Sequence, residues 1–302
     1  MHRILSSLID MPSAMETVLA QRSSIAAIAH EYAPSRRYWA VVGSGPNTVA
    51  ANEVRIKLSE LCYKSISCDI TEDKKHIDLS CEPMIIVCAA GLSEGTAADV
   101  AKEVAIFKAH KAVPIVIATE GETRFDAAAA VVSVPVADPA LAFVLSAMVG
   151  HLFGYEAALA IDALAKPLRQ LREVVELIVG RGGTGDDALG KVERQILPVA
   201  QQFFAALRTG QYDGNLEAST AVQLVAMLRT VTGPQPLQSY QRETGKVASP
   251  AVLLDDLVAA LTRGVDELTR PIDAIKHQAK TVTVWRLIAA NWPSGCHNLA
   301  SI

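Results

Sequence analysis

Residues 36–76, RRYWAVVGSGPNTVAANEVRIKLSELCYKSISCDITEDKKH, decide the fold that we expect for this chain of 302 residues. A short apolar run, Trp39 to Val42, is followed by the glycine turn Gly43-Ser44-Gly45. A helix-compatible run from Asn47 to Leu61 comes next, and a second apolar run lies near Ser65 to Cys68. The pattern predicts a strand, a tight turn, a helix and a second strand, which form one βαβ unit.

The glycine turn predicts a binding site for an anion. Glycine lets backbone N–H groups approach a ligand closely, and the N-terminus of a helix favours negative charge. We therefore expect a phosphate-bearing ligand at this turn, with four candidate donors: Ser44, Gly45, Asn47 and Thr48. The same turn is also compatible with a plain strand-to-helix connection in a doubly wound sheet, without a ligand.

The helix after the turn carries a charged face. Glu53, Lys57 and Glu60 follow one another at spacings of four and three, which put them on the same side of a helix. His76 comes sixteen positions after Glu60, within the cluster Glu72-Asp73-Lys74-Lys75-His76. From spacing alone, such residues are more often a solvated face with a weak surface ion pair than a catalytic site.

The run NEVRIKLSE, residues 52–60, resembles LEGALKLKE in the second sugar-isomerase (SIS) domain of the glucosamine-6-phosphate synthase family. A GELKH segment follows there, and its histidine stands at the distance that His76 has here. The resemblance implies that Glu60 is the isomerisation base and that His76 acts on the sugar ring, with Lys57 and Glu53 beside them. Active sites of that family form between subunits, so the resemblance also implies a homodimer.

The resemblance covers roughly residues 10–165 and has two departures from the family pattern. Val54 stands where the family has a small glycine, and Ile77-Asp78 replace the Gly-Pro that follows the histidine. Nothing in the chain matches the glutaminase domain or the first SIS domain of the synthase. We therefore expect the side-chain chemistry of the family to be retained in a loop of different shape.

Alternating apolar runs and helical segments continue after the first βαβ unit. Further strands are predicted at Pro83–Ala90, Val113–Ala118 and Ala130–Val136, and helices at Ala97–His110 and at Asp138–Ala165, where Asp138 is the expected N-cap. Five strands that alternate with helices predict an α/β fold of the SIS type, a three-layer sandwich around a five-stranded parallel sheet.

Ligands of open parallel sheets bind beyond the carboxyl ends of the strands. The loops that hold Ser44, Ser93 and Thr119 all fall at that edge of the predicted sheet. The segment GLSEGTAADV, which begins at Gly91, also resembles the SGETADT loop that holds phosphate in other SIS domains. That resemblance adds Ser93 and Thr96 to the predicted substrate-binding residues.

Bulk properties narrow the class of partners. A net charge of −4 and a pI near 6.0 give no reason to expect nucleic acid binding. The five cysteines contain no CxxC pair, which indicates reduced thiols in a cytoplasmic protein and neither a disulfide framework nor a metal site. No apolar run of about 18 residues lacks charges, so no membrane span is predicted. We expect no cofactor.

The chain divides into four predicted segments: a helical connector (1–36), the SIS domain (37–166), a helical extension (167–284) and a tail of unassigned structure (285–302). Helices in the first 36 residues are expected to break at Pro12. The hexapeptide AKTVTV, residues 279–284, resembles the AKSVTV tail of the synthase family. That match implies that Lys280 reaches the sugar site.

The expected function is binding of a hexose or aminohexose 6-phosphate and its aldose–ketose isomerisation. Two alternatives remain open. One is a sugar-phosphate sensor without turnover, which needs the same pocket. The other is a Rossmann dinucleotide binder, because Gly43 to Thr48 is a partial G-x-G-x-x-G that lacks its third glycine, and Asp69 stands where an acid that binds ribose would stand.

Overall fold

A computed structural model describes residues 2–76, 78–180 and 185–269. Within them, five parallel strands form one sheet in the order β2-β1-β3-β4-β5. The strands are β1 (Trp39–Gly43), β2 (Ile66–Ile70), β3 (Met84–Ala89), β4 (Val113–Thr119) and β5 (Ala130–Val134). The predicted five-stranded parallel sheet is thus confirmed, and β2 is added on one side of β1 whereas β3, β4 and β5 are added on the other.

Helices cover both faces of this sheet because the central strands are apolar on both sides. The described residues up to 180 form five α-helices: α1 (His2–Ala20), α2 (Arg22–Tyr32), α3 (Asn47–Cys62), α4 (Glu94–Ala109) and α5 (Phe143–Gly180). One core joins α1, α2, α3 and α5 to the face that carries Val41 and Ile86. The other joins α4 to the face that carries Val42 and Val87. The α/β class and its three layers are therefore confirmed.

A third core lies outside the sheet and belongs to the helical extension. It gathers the second half of α5, from Ala165 to Val175, with α6 (Asp186–Arg208), α7 (Ala218–Val231), α8 (Pro236–Thr244) and α9 (Pro250–Leu268). The first half of α5, from Leu145 to Ile161, packs on the sheet. The boundary predicted at residue 166 falls inside this continuous helix, so the two units share α5.

Three local expectations differ from the structure. Helix α1 continues through Pro12 and ends at Ala20, and both Pro12 and Leu8, four residues before it, are exposed, so this turn of the helix is not part of a core. Helix α5 begins at Phe143, since Asp138 caps a preceding turn in which it accepts the N–H of Ala140. Strand β5 ends at Val134, two residues before the predicted end at Val136.

Helix α5 is long and apolar enough to span a membrane by length and composition. Of its most apolar 18-residue window, 56% is buried inside the protein, against the sheet and the neighbouring helices. Packing in two cores therefore accounts for its composition.

Lys280, the AKTVTV segment and the predicted tail lie outside the described residues.

Candidate functional site

The loops that follow β1 and β3 lie side by side at the carboxyl edge of the sheet, and the space between them is named the crevice. These strands are neighbours, and their connections run to opposite sides, which makes this the switch point of the sheet. The loop after β1 contains Ser44 and Gly45 and leads into α3, and the loop after β3 runs from Ala90 to Ser93 and leads into α4. Two helix N-termini therefore lie at the same edge of the sheet.

The first loop has its shape because α3 begins directly against the end of β1. A side-chain carbon on Gly43 would lie 2.3 Å from the carbonyl oxygen of Asn47, so only glycine fits there. Gly45 has a φ of +58°, and its carbonyl accepts a 2.6 Å hydrogen bond from Oγ1 of Thr48. The turn is thus fixed by its own backbone before any ligand binds.

Hydroxyl groups from three segments line this edge. Oγ of Ser44 donates to Oγ1 of Thr71 at 3.0 Å, and Thr71 is buried just beyond β2. Ser93 caps α4 by accepting the N–H of Thr96, and the hydroxyl oxygens of this pair are 2.9 Å apart. Hydroxyls and helix N-termini are suitable partners for phosphate oxygens. The structure therefore brings Ser44, Thr48, Ser93 and Thr96 to one edge.

Thr71 is absent from the predicted site. It is the first residue after β2, and the sequence pattern ends that strand at Cys68, whereas the structure extends it to Ile70. The two additional residues carry the chain to the same edge as Ser44. A correct end for β2 is the signal that identifies Thr71.

Asn47 differs from the other predicted donors because its side chain is buried and bonded to protein. Its Nδ2 donates to the carbonyl of Ala90 at 2.7 Å, and its Oδ1 accepts a 2.8 Å hydrogen bond from Oγ of Ser146. Only 2% of Asn47 is exposed. The side chain thus joins the start of α3 to the loop after β3 and to α5.

The charged face of α3 contains pairs of half-exposed side chains. Nζ of Lys57 lies 3.1 Å from Oε2 of Glu60, and Oε1 of Glu53 lies 3.1 Å from Nε2 of His151 on α5. These four side chains are between 36% and 43% exposed. The structure confirms that Glu53, Lys57 and Glu60 share one face, which borders α5.

The bulk of Val54, where the resembling family has glycine, is accommodated across this helix pair. Gly150 of α5 faces Val54 so closely that an added side-chain carbon would lie 2.2 Å from a Val54 methyl group. A large residue on α3 therefore meets a small one on α5. This packing keeps the two helices, and with them Glu53 and His151, close together.

The crevice and the catalytic candidate Glu60 lie at opposite ends of α3. Glu60 lies thirteen residues after Asn47 in the helix, a rise of about 20 Å between their Cα atoms. This rise is longer than an extended hexose phosphate. The structure thus separates the predicted phosphate donors from the predicted base.

His76 lies on the other face of the sheet from α3. It is the exposed last residue of a short 3₁₀ turn, Asp73–His76, which Lys75 ties to α4 through a 2.6 Å contact with Glu103. The preceding Lys74 is buried, with its Nζ 3.9 Å from Oδ2 of Asp69. The acid that a dinucleotide site requires therefore lies beside a lysine at ion-pair distance, without a hydrogen bond.

A separate cleft of about 710 Å³ lies at the amino edge of the sheet, where the two units meet. Lys64 on its wall donates from Nζ to the carbonyls of Arg36 and Gly214, at 3.0 and 2.7 Å. Burial lowers the pKa of Lys64 to about 8. These bonds hold the two units together.

Among the described residues, no group of three or more His, Cys, Asp or Glu side chains is arranged to hold a metal ion.

No protein-family profile and no curated protein matches the chain. Several solved structures have a similar fold. The C-terminal domain of glucosamine-fructose-6-phosphate aminotransferase from Francisella tularensis is 17% identical, with a TM-score of 0.47, over 51% of this chain and 44% of that one. A proposed phosphosugar isomerase from Silicibacter pomeroyi is 12% identical, with a TM-score of 0.43, over 88% and 97%.

A third similar structure is the sugar isomerase domain of the RpiR transcription factor from Sphaerobacter thermophilus. It is 13% identical, with a TM-score of 0.42, over 56% of this chain and 99% of that one. This chain spans less than half of the aminotransferase domain that it matches. At such identities and TM-scores, the likeness concerns the arrangement of helices and strands and carries no argument about activity.

Proposed function

We propose that this protein binds a sugar phosphate, a hexose or aminohexose 6-phosphate, in the crevice between the loops after β1 and β3. The observation that carries the proposal is the convergence there of two helix N-termini and the hydroxyls of Ser44, Thr48, Ser93 and Thr96. Helix N-termini attract phosphate, and hydroxyls donate to its oxygens. Gly45 allows the ligand to approach the backbone.

The second part of the proposal is aldose–ketose isomerisation with Glu60 as the base, as the resemblance of NEVRIKLSE implies. Isomerisation moves a proton between C1 and C2, which requires a carboxylate at that edge of the sugar and an anchored phosphate. Because about 20 Å of helix separates Glu60 from its own crevice, a second copy of the chain has to supply the phosphate site. A homodimer with sites between subunits meets this requirement.

In such a dimer the remaining predicted residues have defined roles. Lys57 pairs with Glu60 and orients its carboxylate, and Glu53 and His151 continue the charged face along α3 and α5. His76, on the opposite face of the sheet, acts on a sugar ring held by a neighbouring chain. Lys280 remains a predicted contributor from the segment outside the described residues.

A second candidate function is a sugar-phosphate sensor without turnover. One observation favours it specifically: the proposed phosphate donors all lie within a single chain, whereas the proposed base lies at the far end of α3. Binding therefore needs one chain, and catalysis needs two. A Rossmann function has less support, since Asp69 is paired with Lys74.

A thermal melt with fructose 6-phosphate, glucosamine 6-phosphate, NAD and NADP tests the ligand class. A ligand of the native state stabilises it by RT ln(1 + [L]/Kd), about 2.7 kcal/mol at a hundredfold excess over Kd. We expect a rise in Tm with a sugar phosphate and none with the dinucleotides. No rise with several hexose phosphates at millimolar concentration contradicts the proposal.

Exchange of the C2 proton of the sugar with solvent deuterium then separates the isomerase from the sensor. An isomerase exchanges this proton because its base removes it to solvent. Binding without any exchange identifies a sensor. Exchange lost after truncation before Arg270, with the sheet still folded, supports the predicted role of Lys280.

A further inference from the structure

Two consecutive residues, Ala90 and Gly91, begin the loop after β3, and each is held by a side chain from a different element. The carbonyl of Ala90 accepts a 2.7 Å hydrogen bond from Nδ2 of Asn47, at the start of α3. The N–H of Gly91 donates to Oγ1 of Thr119, the last residue of β4, at 2.8 Å. Both backbone groups point to side chains outside the loop.

The Asn47 contact is built into the core. Asn47 is 2% exposed, and its oxygen accepts from Ser146 of α5, which is fully buried. Both ends of the amide are therefore bonded to protein, and rotation of the amide breaks two buried hydrogen bonds. This geometry leaves the Asn47 side chain fixed relative to β1, β3 and α5.

The backbone at Gly91 is tightly packed against the segment before α5. Gly91 has a φ of +68°, and a side-chain carbon there would lie 2.5 Å from Cβ of Ala142 and 3.2 Å from Cα of Pro139. The backbone of the loop is thus pressed against the segment that leads into α5. Thr119 holds it from the other side, so Ala90 and Gly91 have one position.

We propose that Asn47 and Thr119 are positioning residues, which clamp Ala90 and Gly91 and thereby fix Ser93 and Thr96 relative to Ser44. Neither side chain needs to touch the ligand for this role. Thr119 acts on the loop after β3 through one N–H group, and Asn47 acts on it through one carbonyl. The inference rests on the proposed function, because it gives the clamp a purpose in phosphate binding.

Three variants test the clamp. Thr119→Val keeps the shape of the side chain and removes the hydroxyl that accepts the N–H of Gly91. Thr119→Ser keeps a hydroxyl and is the matched control. Thr220→Val removes a buried hydroxyl that donates to Glu267 in the helical extension, outside the clamp, so it reports a purely structural loss.

Two measurements are made on each variant: hydrogen exchange of amides 90–97 in the free protein, and the Kd for fructose 6-phosphate by calorimetry. Thr119→Val should speed exchange in this segment and raise the Kd about five- to tenfold, the effect of one lost hydrogen bond. Thr119→Ser should restore both values to near those of the wild type. Thr220→Val should lower the Tm and change neither value.

A Thr119→Val variant with wild-type exchange in residues 90–97 and an unchanged Kd overturns the proposal, even if its Tm is lower. A wild-type protein that binds no hexose phosphate refutes the proposed function instead. The exchange data then still decide whether the clamp exists, because they need no ligand. Faster exchange with an unchanged Kd contradicts the role in binding.

Discussion

The crevice at the carboxyl edge of the sheet and the charged face of α3 are stabilised by different interactions. In the crevice, short side chains such as Ser44 and Ser93 are bonded to other protein groups, and the backbone is fixed by Gly43 and Gly91. On α3, long side chains pair with each other and remain more than a third exposed. The crevice is organised before a ligand arrives.

This difference indicates which region functions alone. Half-exposed ion pairs add little free energy, typically about 0 to 1 kcal/mol. A general base also benefits from burial, which excludes water from the reaction. The charged face of α3 therefore becomes a catalytic site only when something covers it, whereas the crevice needs no cover. The predictions below test this contrast.

The largest effect should come from the charged face if a dimer covers it. Glu60→Gln keeps the size and hydrogen bonding of the side chain but removes the base, so deuterium exchange at C2 should fall about 100-fold or more. The Kd for fructose 6-phosphate should stay near the wild-type value, because the crevice lies about 20 Å away. Proton NMR of the C2 position measures the exchange, and calorimetry measures the Kd.

A mixing experiment provides the control for that prediction. Ser44→Glu places a carboxylate where the phosphate is proposed to bind, which abolishes activity through the crevice. Mixed with Glu60→Gln under conditions that exchange subunits, it should restore part of the activity, since one interface then has an intact crevice and an intact base. Unchanged exchange in Glu60→Gln alone rules out Glu60 as the base.

The second effect concerns the fold of the crevice. Gly43→Ala forces a carbon to within 2.3 Å of the Asn47 carbonyl, so the free energy of unfolding should fall by about 1 to 3 kcal/mol. Urea denaturation measures this change. Gly95→Ala is the matched control, because no atom lies within 4 Å of its added carbon, and it should be neutral or stabilising by up to about 1 kcal/mol.

An equal loss of stability in both alanine variants contradicts the packing argument. It means that the substitution of glycine itself, rather than the contact with Asn47, changes the free energy of unfolding. Equal stability of Gly43→Ala and the wild type means that α3 can move away from β1. Either result weakens the case for a crevice that is fixed before binding.

The sheet could be predicted from the sequence because each central strand is a continuous apolar run. Trp39–Val42 and Val113–Ala118 are too short for typical helices and rich in β-branched or aromatic residues, and the structure has strands there. Pro12 misled the prediction because the cost of a proline depends on exposure, which the sequence does not state. The end of β2 was placed too early because the charged Asp69 interrupts the apolar run. In the structure the strand continues to Ile70, and the buried Lys74 lies close to Asp69.

The site was harder to predict from the sequence, because spacing along a chain is not distance in space. Glu53, Lys57 and Glu60 were correctly placed on one face, since helical spacing is local geometry. Their separation from Ser44 follows from the length of α3, which converts a short stretch of sequence into about 20 Å. The bonds from Asn47 to Ala90 and Ser146 depend on tertiary packing and have no sequence signal.

The third effect concerns ligand affinity in the crevice. Ser44→Ala removes one hydroxyl donor, so the Kd for fructose 6-phosphate should rise about five- to tenfold. The Tm of the free protein should change little, because Ser44 is only partly buried. Calorimetry with the variant measures the Kd, and Thr17→Ala, at an exposed hydroxyl on α1, is the control. An unchanged Kd for Ser44→Ala removes Ser44 from the site.

The smallest effect should come from Glu53→Gln, which weakens the contact with His151 and keeps the shape of the side chain. Both groups are more than 40% exposed, so the free energy of unfolding should change by less than about 0.5 kcal/mol in dilute protein. Urea denaturation at low and high protein concentration measures this change. An effect that grows with concentration shows that the face of α3 and α5 is covered in a dimer. A loss above about 1.5 kcal/mol at every concentration contradicts the description of this face as a weakly coupled surface, because exposed pairs do not contribute that much.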